Sequence, residues 1–436
     1  MNKLSCVIAS PVDTFSGYGT MSRSFIKSLI KVRGNEWDIK LLSLRWGNTP
    51  FGALNTGNPD DIDLQSRIID QNQIKSKPDV WIQISVANEF KSMGVFNIGY
   101  SCLVETTLVP APMIEGLNAM DLNLVSCEHA KTTAKEVIWE KKDNNGVSVG
   151  KVKLEKPMET LFLGLDTTVY KKPTTKNLDL SYINEDFCFL AVGHLLPGAD
   201  ILEDRKMVGR LIKGFLEAFK GKKNKPALIL KSSVVGHSYV HEEATLKIIS
   251  SVIKTVDDTD LPNIYLLHGE LTEEEMCELY VHPKVKAFTL MGNEGFGLPY
   301  IEFSAVSGKP IVASPWSGHM DFLEKEFNLF VEGAIEPIHQ ATVNDFLLKE
   351  SSWFKPNVKS ISDKLQEIYS NYSKYVDGGK RQGYRSRTVF SMDKMAEKLD
   401  ELLKKYTPAI SRPVPISLPK LASIKKPDPE YLEEIK

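Results

Sequence analysis

The chain has 436 residues, 42% of them apolar and 25% charged, and a net charge of −2. At roughly 100–200 residues per domain this is material for two domains, and the near-neutral balance excludes a global electrostatic footprint for nucleic acid, leaving room only for a local basic groove. No run of about 18 apolar residues exists, which excludes a transmembrane segment of helical type; the five cysteines are scattered, odd in number and without metal-ligand spacing, so they read as buried thiols of a reducing, cytoplasmic compartment.

Met1-Asn2-Lys3 leads straight into an apolar strand, Leu4 to Ala9, so no signal peptide is expected. A polar loop opened by Pro11 follows, and Tyr18 to Val32 then shows helical periodicity through Met21, Phe25 and Leu29. At its start, Ser16-Gly17-Tyr18-Gly19 lacks the third glycine of a dinucleotide fingerprint, so by spacing alone it is a tight strand-to-helix turn. Further strands are expected over Trp37 to Leu44, Val80 to Ser85, Asn97 to Tyr100 and Leu122 to Val125. Gly47 to Lys77 reads as polar loop, with Asp60, Asp61 and Asp63 as solvated loop residues rather than metal ligands. Glu105-Thr106 follow a strand; Glu105 faces a cleft or caps a helix or loop. His129 opens the next helix, as a cleft residue or as a capping or core histidine, and the positive end of the helix dipole would keep it neutral. Glu140 to Lys156 is charged and reads as an exposed excursion, Glu159 to Phe162 returns as a strand, and Lys171 to Asp186 reads as linker.

Phe187 to Val192 starts a second α/β unit, closed by Gly193-His194. Arg205-Lys206 are expected to open a helix to about Lys220, with Val208, Leu211, Ile212, Phe215, Leu216 and Phe219 on its apolar face. Ala227 to Leu230 is a strand with Lys231 at its end, as a ligand-facing cation or a solvated one. Asn263 to Leu267 is another strand, followed by Gly269 and Leu271 in a loop and by Thr272, which caps a helix with Glu275 at the capping-box position. Val285 to Leu290 is a short buried strand, and Gly292, Gly295 and Gly297 then break the periodicity before Pro299 enters a helix that Gly308 ends. The strand Ile311 to Ala313 follows, then His319 and Asp321 on the cleft rim or in a cap, and helices over Ser360 to Tyr372 and Asp393 to Lys405. Residues 407–436 are Pro-rich and charged, unable to bury a core, and are expected extended or disordered.

The stretch from 285 to 333 carries the clearest chemistry. A glycine-rich turn feeding a helix gathers free N–H groups and the positive dipole end on an anion or a hydroxyl-rich ligand. Glu294 precedes the turn and Glu302 lies inside the helix, so the two carboxylates reach different parts of one elongated ligand, each oxygen accepting from a hydroxyl. The plain alternative is an ordinary strand–turn–helix with solvated glutamates.

The segment EGFGLPYIE, with Glu294 and Glu302 at its ends, followed by SGKPIVAS, resembles the paired-glutamate signature of retaining glycosyltransferases of the GT-B fold, in particular glycosyltransferase family 4. The resemblance covers nearly all of residues 1–406 and is strongest at 285–318. It implies an α/β fold of two Rossmann-like domains facing a cleft: an acceptor domain over 1–170, a linker over 171–186, a nucleotide-sugar domain over 187–390, and a helix over 391–406 that crosses back to the first domain. It implies that Glu294 holds the sugar, Glu302 the ribose, and the Gly295-Phe296-Gly297-Leu298 backbone the sugar and diphosphate. Gly17 and Gly19 would lie near the diphosphate, and His194, Arg205, Lys206 and Lys231 would neutralise it, although His194 stands where the family has Arg. Gly269 and Leu271 would back the base. The Glu105-Thr106 stretch, with Asp121 and Ser126, resembles the acceptor-domain wall of the cleft, and Gly164 to Tyr170 its exit. No metal and no cofactor beyond a UDP-, GDP- or other nucleotide-sugar is implied.

Three function classes follow. One is sugar transfer to a hydroxyl acceptor on a glycan, lipid-linked molecule or small molecule. A second is the same chemistry on hydroxymethylated DNA bases, favoured by the basic runs Lys220 to Lys225 and Lys380 to Arg387. The third is a non-catalytic nucleotide-sugar binding module, against which the paired glutamates and Lys206 argue.

Overall fold

The computed structural model describes residues 3–143, 145–195, 202–234, 236 and 238–410. The expected extended tail beyond 410, and part of the connection ahead of Arg205, lie outside the described residues.

The first half runs β1 (Leu4–Ser10), α1 (Gly17–Arg33), β2 (Trp37–Ser43), α2 (Pro59–Ser66), β3 (Val80–Ile84), β4 (Phe96–Ser101), α3 (Ala111–Asn118), β5 (Leu122–Val125), α4 (Glu128–Glu136), β6 (Trp139–Lys142), β7 (Ser148–Val152) and β8 (Met158–Thr160). Six of its strands form a parallel sheet in the order β2-β1-β3-β4-β5-β8. Most residues of these short strands are buried because helices cover both faces of a parallel sheet; Ser5 at the start of β1 and Asp38 in the edge strand β2 are exposed. In β3 and β4 all residues are buried. The exposed excursion is an antiparallel hairpin, β6 with β7.

The second half runs β9 (Cys188–Val192), α5 (Val208–Phe219), β10 (Ala227–Lys231), α6 (Tyr239–Ile253), β11 (Ile264–Leu267), α7 (Glu273–Val281), β12 (Val285–Leu290), α8 (Leu298–Ser307), β13 (Ile311–Ala313), β14 (Leu329–Phe330), β15 (Gly333–Pro337), β16 (Ser352–Pro356), α9 (Val358–Ser370), α10 (Tyr372–Val389) and α11 (Met392–Tyr406). Its six-stranded sheet is ordered β11-β10-β9-β12-β13-β14, again parallel. The order reverses between β9 and β12, and such a switch point opens a crevice at the carboxyl ends of the strands.

Two expectations need correction. The 47–77 stretch is not all loop: Asn58 caps α2 by accepting from the Asp60 N–H, with Pro59 in the first turn. Asp61 of that helix is buried and pairs with Lys27 of α1 at 3.0 Å. The helix expected to open at Arg205 begins instead at Val208. Met207 takes a left-handed conformation (φ 51°), which interrupts helical geometry, and the Asp204 carboxylate accepts the Val208 and Gly209 N–H groups at 3.0 Å each. Arg205 and Lys206 are thereby set in the turn ahead of α5.

The crossing helix α11 packs on α1. Its apolar stripe, Met395, Ala396, Leu399, Leu402 and Leu403, is buried, and Arg33 of α1 pairs with Asp400 at 2.5 Å. Parallel bonding of Leu165 N–H to the Phe390 carbonyl and Met392 N–H to the Leu165 carbonyl ties the chain entering α11 to the first half. Removing a fully buried side chain from such a seam costs lost burial plus a cavity. Leu399→Ala is therefore expected to lower the unfolding free energy by about 2–5 kcal/mol, measured by denaturant titration; a loss under about 1 kcal/mol would show that α11 is a loosely held appendage.

Candidate functional site

Apart from Glu302, which lies inside α8, the residues singled out as ligand-facing lie at or beyond the carboxyl end of a parallel strand. Gly17 and Gly19 follow β1, Glu105 follows β4, and His129 follows β5; His194, Arg205 and Lys206 follow β9, Lys231 ends β10, Gly269 and Leu271 follow β11, and Glu294 to Leu298 follow β12. The two sheets turn these ends toward each other. Ser126 Oγ donates to the Gly295 carbonyl at 2.8 Å, the Glu128 N–H donates to Asp321 at 2.9 Å, and Trp316 Nε1 donates to the Glu105 carbonyl at 2.8 Å.

The charged centre is a set of two ion pairs on consecutive cations. Lys206 Nζ lies 2.7 Å from Glu294 Oε1, with both side chains largely buried, and it also donates to the Asn293 carbonyl at 3.3 Å. Arg205 Nη2 donates to Glu105 Oε1, joining the two halves. Burial by itself would raise the Glu105 carboxyl, but the Arg205 and Lys206 cations bring it below the ordinary value; Glu105 in turn raises the Arg205 guanidinium. Lys231 Nζ donates to the Gly269 carbonyl at 2.5 Å, so two residues expected near the ligand meet directly, and burial lowers the ammonium's pKa. His194 Nδ1 lies 3.3 Å from Ser233 Oγ.

The glycine-rich turn is braced from behind. The Glu294 carbonyl accepts the Gly318 N–H at 2.8 Å and Ser317 Oγ at 2.9 Å. Gly297 adopts φ 101°, open to glycine without strain, and a Cβ there would stand 2.9 Å from the His319 Cβ. The Phe296 side chain is buried against Phe322, with ring centroids 5.2 Å apart, so the turn offers a ligand its backbone and not that ring. Leu298 starts α8 and Leu271 packs on the core edge, both half-buried. Gly19 is required by packing, since a Cβ would stand 2.1 Å from the Thr14 carbonyl oxygen; at Gly17 a Cβ would meet nothing within 4 Å.

Glu302 sits apart from these cations. It is 9% exposed and accepts from Tyr280 Oη at 2.9 Å. Burial raises its pKa to about 7, opposed by hydrogen bonds from Tyr280 and Tyr170. His129 is indeed shifted toward the neutral form, but burial is the main cause rather than the helix end; its Nε2 donates to the Thr106 carbonyl at 3.2 Å and its ring meets Trp316 edge-on at 4.7 Å. His319 is buried in the brace, its Nε2 donating to the Ser314 carbonyl at 2.6 Å, and burial lowers its pKa to about 4. Asp321 caps α4 across the divide. Sequence reasoning missed Trp316, Tyr280 and Asn293. Trp316 was detectable as an aromatic just past a buried strand's carboxyl end, whereas Tyr280 looks like any core residue of α7. Among the described residues no group of three or more His, Cys, Asp or Glu is placed to hold a metal ion.

No protein-family model matches the chain, and no curated protein matches it in sequence. Solved structures do match in fold. Anabaena HepE in complex with UDP-glucose is 11% identical, with a TM-score of 0.58 over 92% of this chain and 100% of that one. Sucrose-phosphate synthase from Thermosynechococcus elongatus is 12% identical, with a TM-score of 0.61 over 92% and 99%. A trehalose-6-phosphate synthase from Burkholderia multivorans is 9% identical, with a TM-score of 0.56 over 93% and 97%. With two parallel sheets facing across a cleft, the chain has the GT-B fold.

The Glu302 environment has a thermodynamic signature. A carboxyl whose pKa is raised by folding binds its proton more tightly in the fold. Its contribution is complete below the ordinary value of 4.5 and is lost as pH rises through about 7. Glu302→Gln, neutral at every pH, escapes that loss. Relative to wild type it is expected to gain up to about 3 kcal/mol of stability between about pH 5 and about pH 8, read from paired denaturant titrations. Parallel pH profiles for the two proteins would show that Glu302 is not held in a proton-retaining site.

Proposed function

We propose that the chain is a metal-independent, retaining glycosyltransferase of the family 4 kind, moving a sugar from a nucleoside diphosphate to a hydroxyl acceptor. The observation that carries this is the convergence of Glu294, Lys206, Arg205 and the N-terminus of α8 at the switch point of the second sheet, on a GT-B fold. HepE, one of the structural neighbours, binds UDP-glucose, which supports a nucleotide-sugar donor. EGFGLPYIE supports the family 4 assignment, and the five unpaired cysteines support a cytoplasmic setting.

In this reading the diphosphate lies against Arg205, Lys206 and the first turn of α8, where fixed cations and N–H groups stabilise charge as it develops. Glu294 accepts from the sugar hydroxyls and steadies the anomeric carbon as it becomes cationic. The bond from that carbon to the diphosphate oxygen breaks, the bond to the acceptor oxygen forms on the same face, and the acceptor's proton passes to the departing diphosphate. Glu302 takes the ribose hydroxyls, with Tyr280 holding one of its oxygens. The first half, with Glu105 and His129 at the cleft, receives the acceptor.

Several cations of the basic runs are engaged within the protein, which weakens their support for DNA as that acceptor. Lys220 pairs with Glu217 and Lys225 with Asp260, Arg385 pairs with Glu324, and Arg387 donates to the Ala305 carbonyl. Cations engaged in this way are poorly free to release counterions from a phosphate backbone. The idle-module reading is tested by donor hydrolysis, which a binding module lacks.

The two glutamates have separable roles. Calorimetric titration with nucleoside diphosphate should show Glu302→Gln weakened by about 1.5–3 kcal/mol and Glu294→Gln undiminished. With nucleotide-sugar, Glu294→Gln should lose about 100-fold or more in kcat, because its contribution grows in the transition state. Abolished nucleotide binding in Glu294→Gln with normal binding in Glu302→Gln would reverse the assignment.

A further inference from the structure

We propose that Glu105 competes internally with the donor's diphosphate for Arg205, and so is a positioning residue that sets the enzyme's affinity for its nucleotide. This rests on the donor reading above. Three observations lead to it. First, the two carboxylates on Arg205 and Lys206 match a diphosphate in charge: a diphosphate diester carries two negative charges, and Glu105 and Glu294 place two carboxylates on the same two adjacent cations. Both arrangements cannot hold the same guanidinium face at once.

Second, Glu105 is held in place independently of the ion pair. Its backbone carbonyl accepts from Trp316 Nε1 at 2.8 Å; two residues on, the Thr107 N–H donates to the Ser352 carbonyl and Thr107 Oγ1 accepts the Ser352 N–H, each at 2.9 Å. The carboxylate is therefore presented to Arg205 from the first half of the chain by contacts that do not depend on the cation. Third, Arg205 has donor capacity in reserve. Its Nε is buried without a partner, so an anion with several oxygens satisfies this side chain better than the single Glu105 oxygen it now binds.

Donor binding then exchanges one anion for another at Arg205. Part of the attraction between diphosphate and cation offsets the lost Glu105 contact, and net affinity is lower than the cations alone would give. Replacing Glu105 by its neutral isostere removes the competitor and leaves the cations.

The experiment is a calorimetric titration of wild type and Glu105→Gln. The probes are UDP, GDP, ADP and dTDP, with the tightest carried forward, then the matching nucleoside and inorganic pyrophosphate. Glu105→Gln is expected to bind the nucleoside diphosphate and pyrophosphate roughly tenfold more tightly and the nucleoside equally. Trp316→Phe, which keeps the carboxylate and removes one of its backbone supports, should tighten diphosphate binding by a smaller factor. A structural lesion would weaken binding, so a gain confined to the diphosphate is diagnostic. Unchanged or weaker diphosphate binding in Glu105→Gln overturns the proposal, as does tightening shared with the nucleoside. Should Glu105→Gln not fold, Trp316→Phe decides, and no tightening there overturns it. A wild type that binds none of the four nucleoside diphosphates overturns the donor reading itself, and this inference with it.

Discussion

The cleft depends on a local charge balance. Lys206 and Arg205, adjacent in sequence, are brought by the turn before α5 to the carboxyl end of β9, where Glu294 approaches from β12 and Glu105 from the opposite sheet. Half-buried cations are costly to desolvate unless anions accompany them, and each of the two has one. The pairing fixes which side chains face the crevice. The Asp204 carboxylate makes it possible by holding the first N–H groups of α5, which leaves the two cations out of the helix.

The two glutamates of one short motif are placed in opposite electrostatic circumstances. Glu294 shares a cation and is braced through its backbone by the Ser317-Gly318 turn. Glu302 lies one helical turn inside α8, against phenols, with no cation among the described residues bonded to it, and burial raises its pKa.

Much of this was legible in the chain. Buried parallel strands are short apolar runs, and Cys188–Val192, Ala227–Lys231, Val285–Leu290 and Ile311–Ala313 fall within a residue or so of where composition places them. The Thr272–Glu275 capping box and the Gly308 helix stop are local chemistry, and both are present as read. Short or weakly patterned elements were not legible. The helix α2 has only eight residues, α6 exposes Tyr239 and Val240 at its start, and the hairpin of β15 with β16 has no tight-turn signal between its strands. Arg205 and Lys206 read as helical because the periodic apolar residues start just after them; the left-handed Met207 that separates them from α5 has no sequence signature.

By itself the sequence determined the two parallel α/β units, the glycine-rich turn at the head of α8 and the identity of the charged residues at the strand ends, because these follow from local propensity and hydrophobic period. Which carboxylate meets which cation was decided only in three dimensions. Glu105 and Arg205 stand 100 positions apart, on either side of the 171–186 linker, and they meet because the two sheets present their carboxyl ends to one another. The same holds for Trp316 on the Glu105 carbonyl and for Asp321 on the first turn of α4. Contacts between elements distant in the chain depend on how whole domains dock, and no local pattern of residues encodes that.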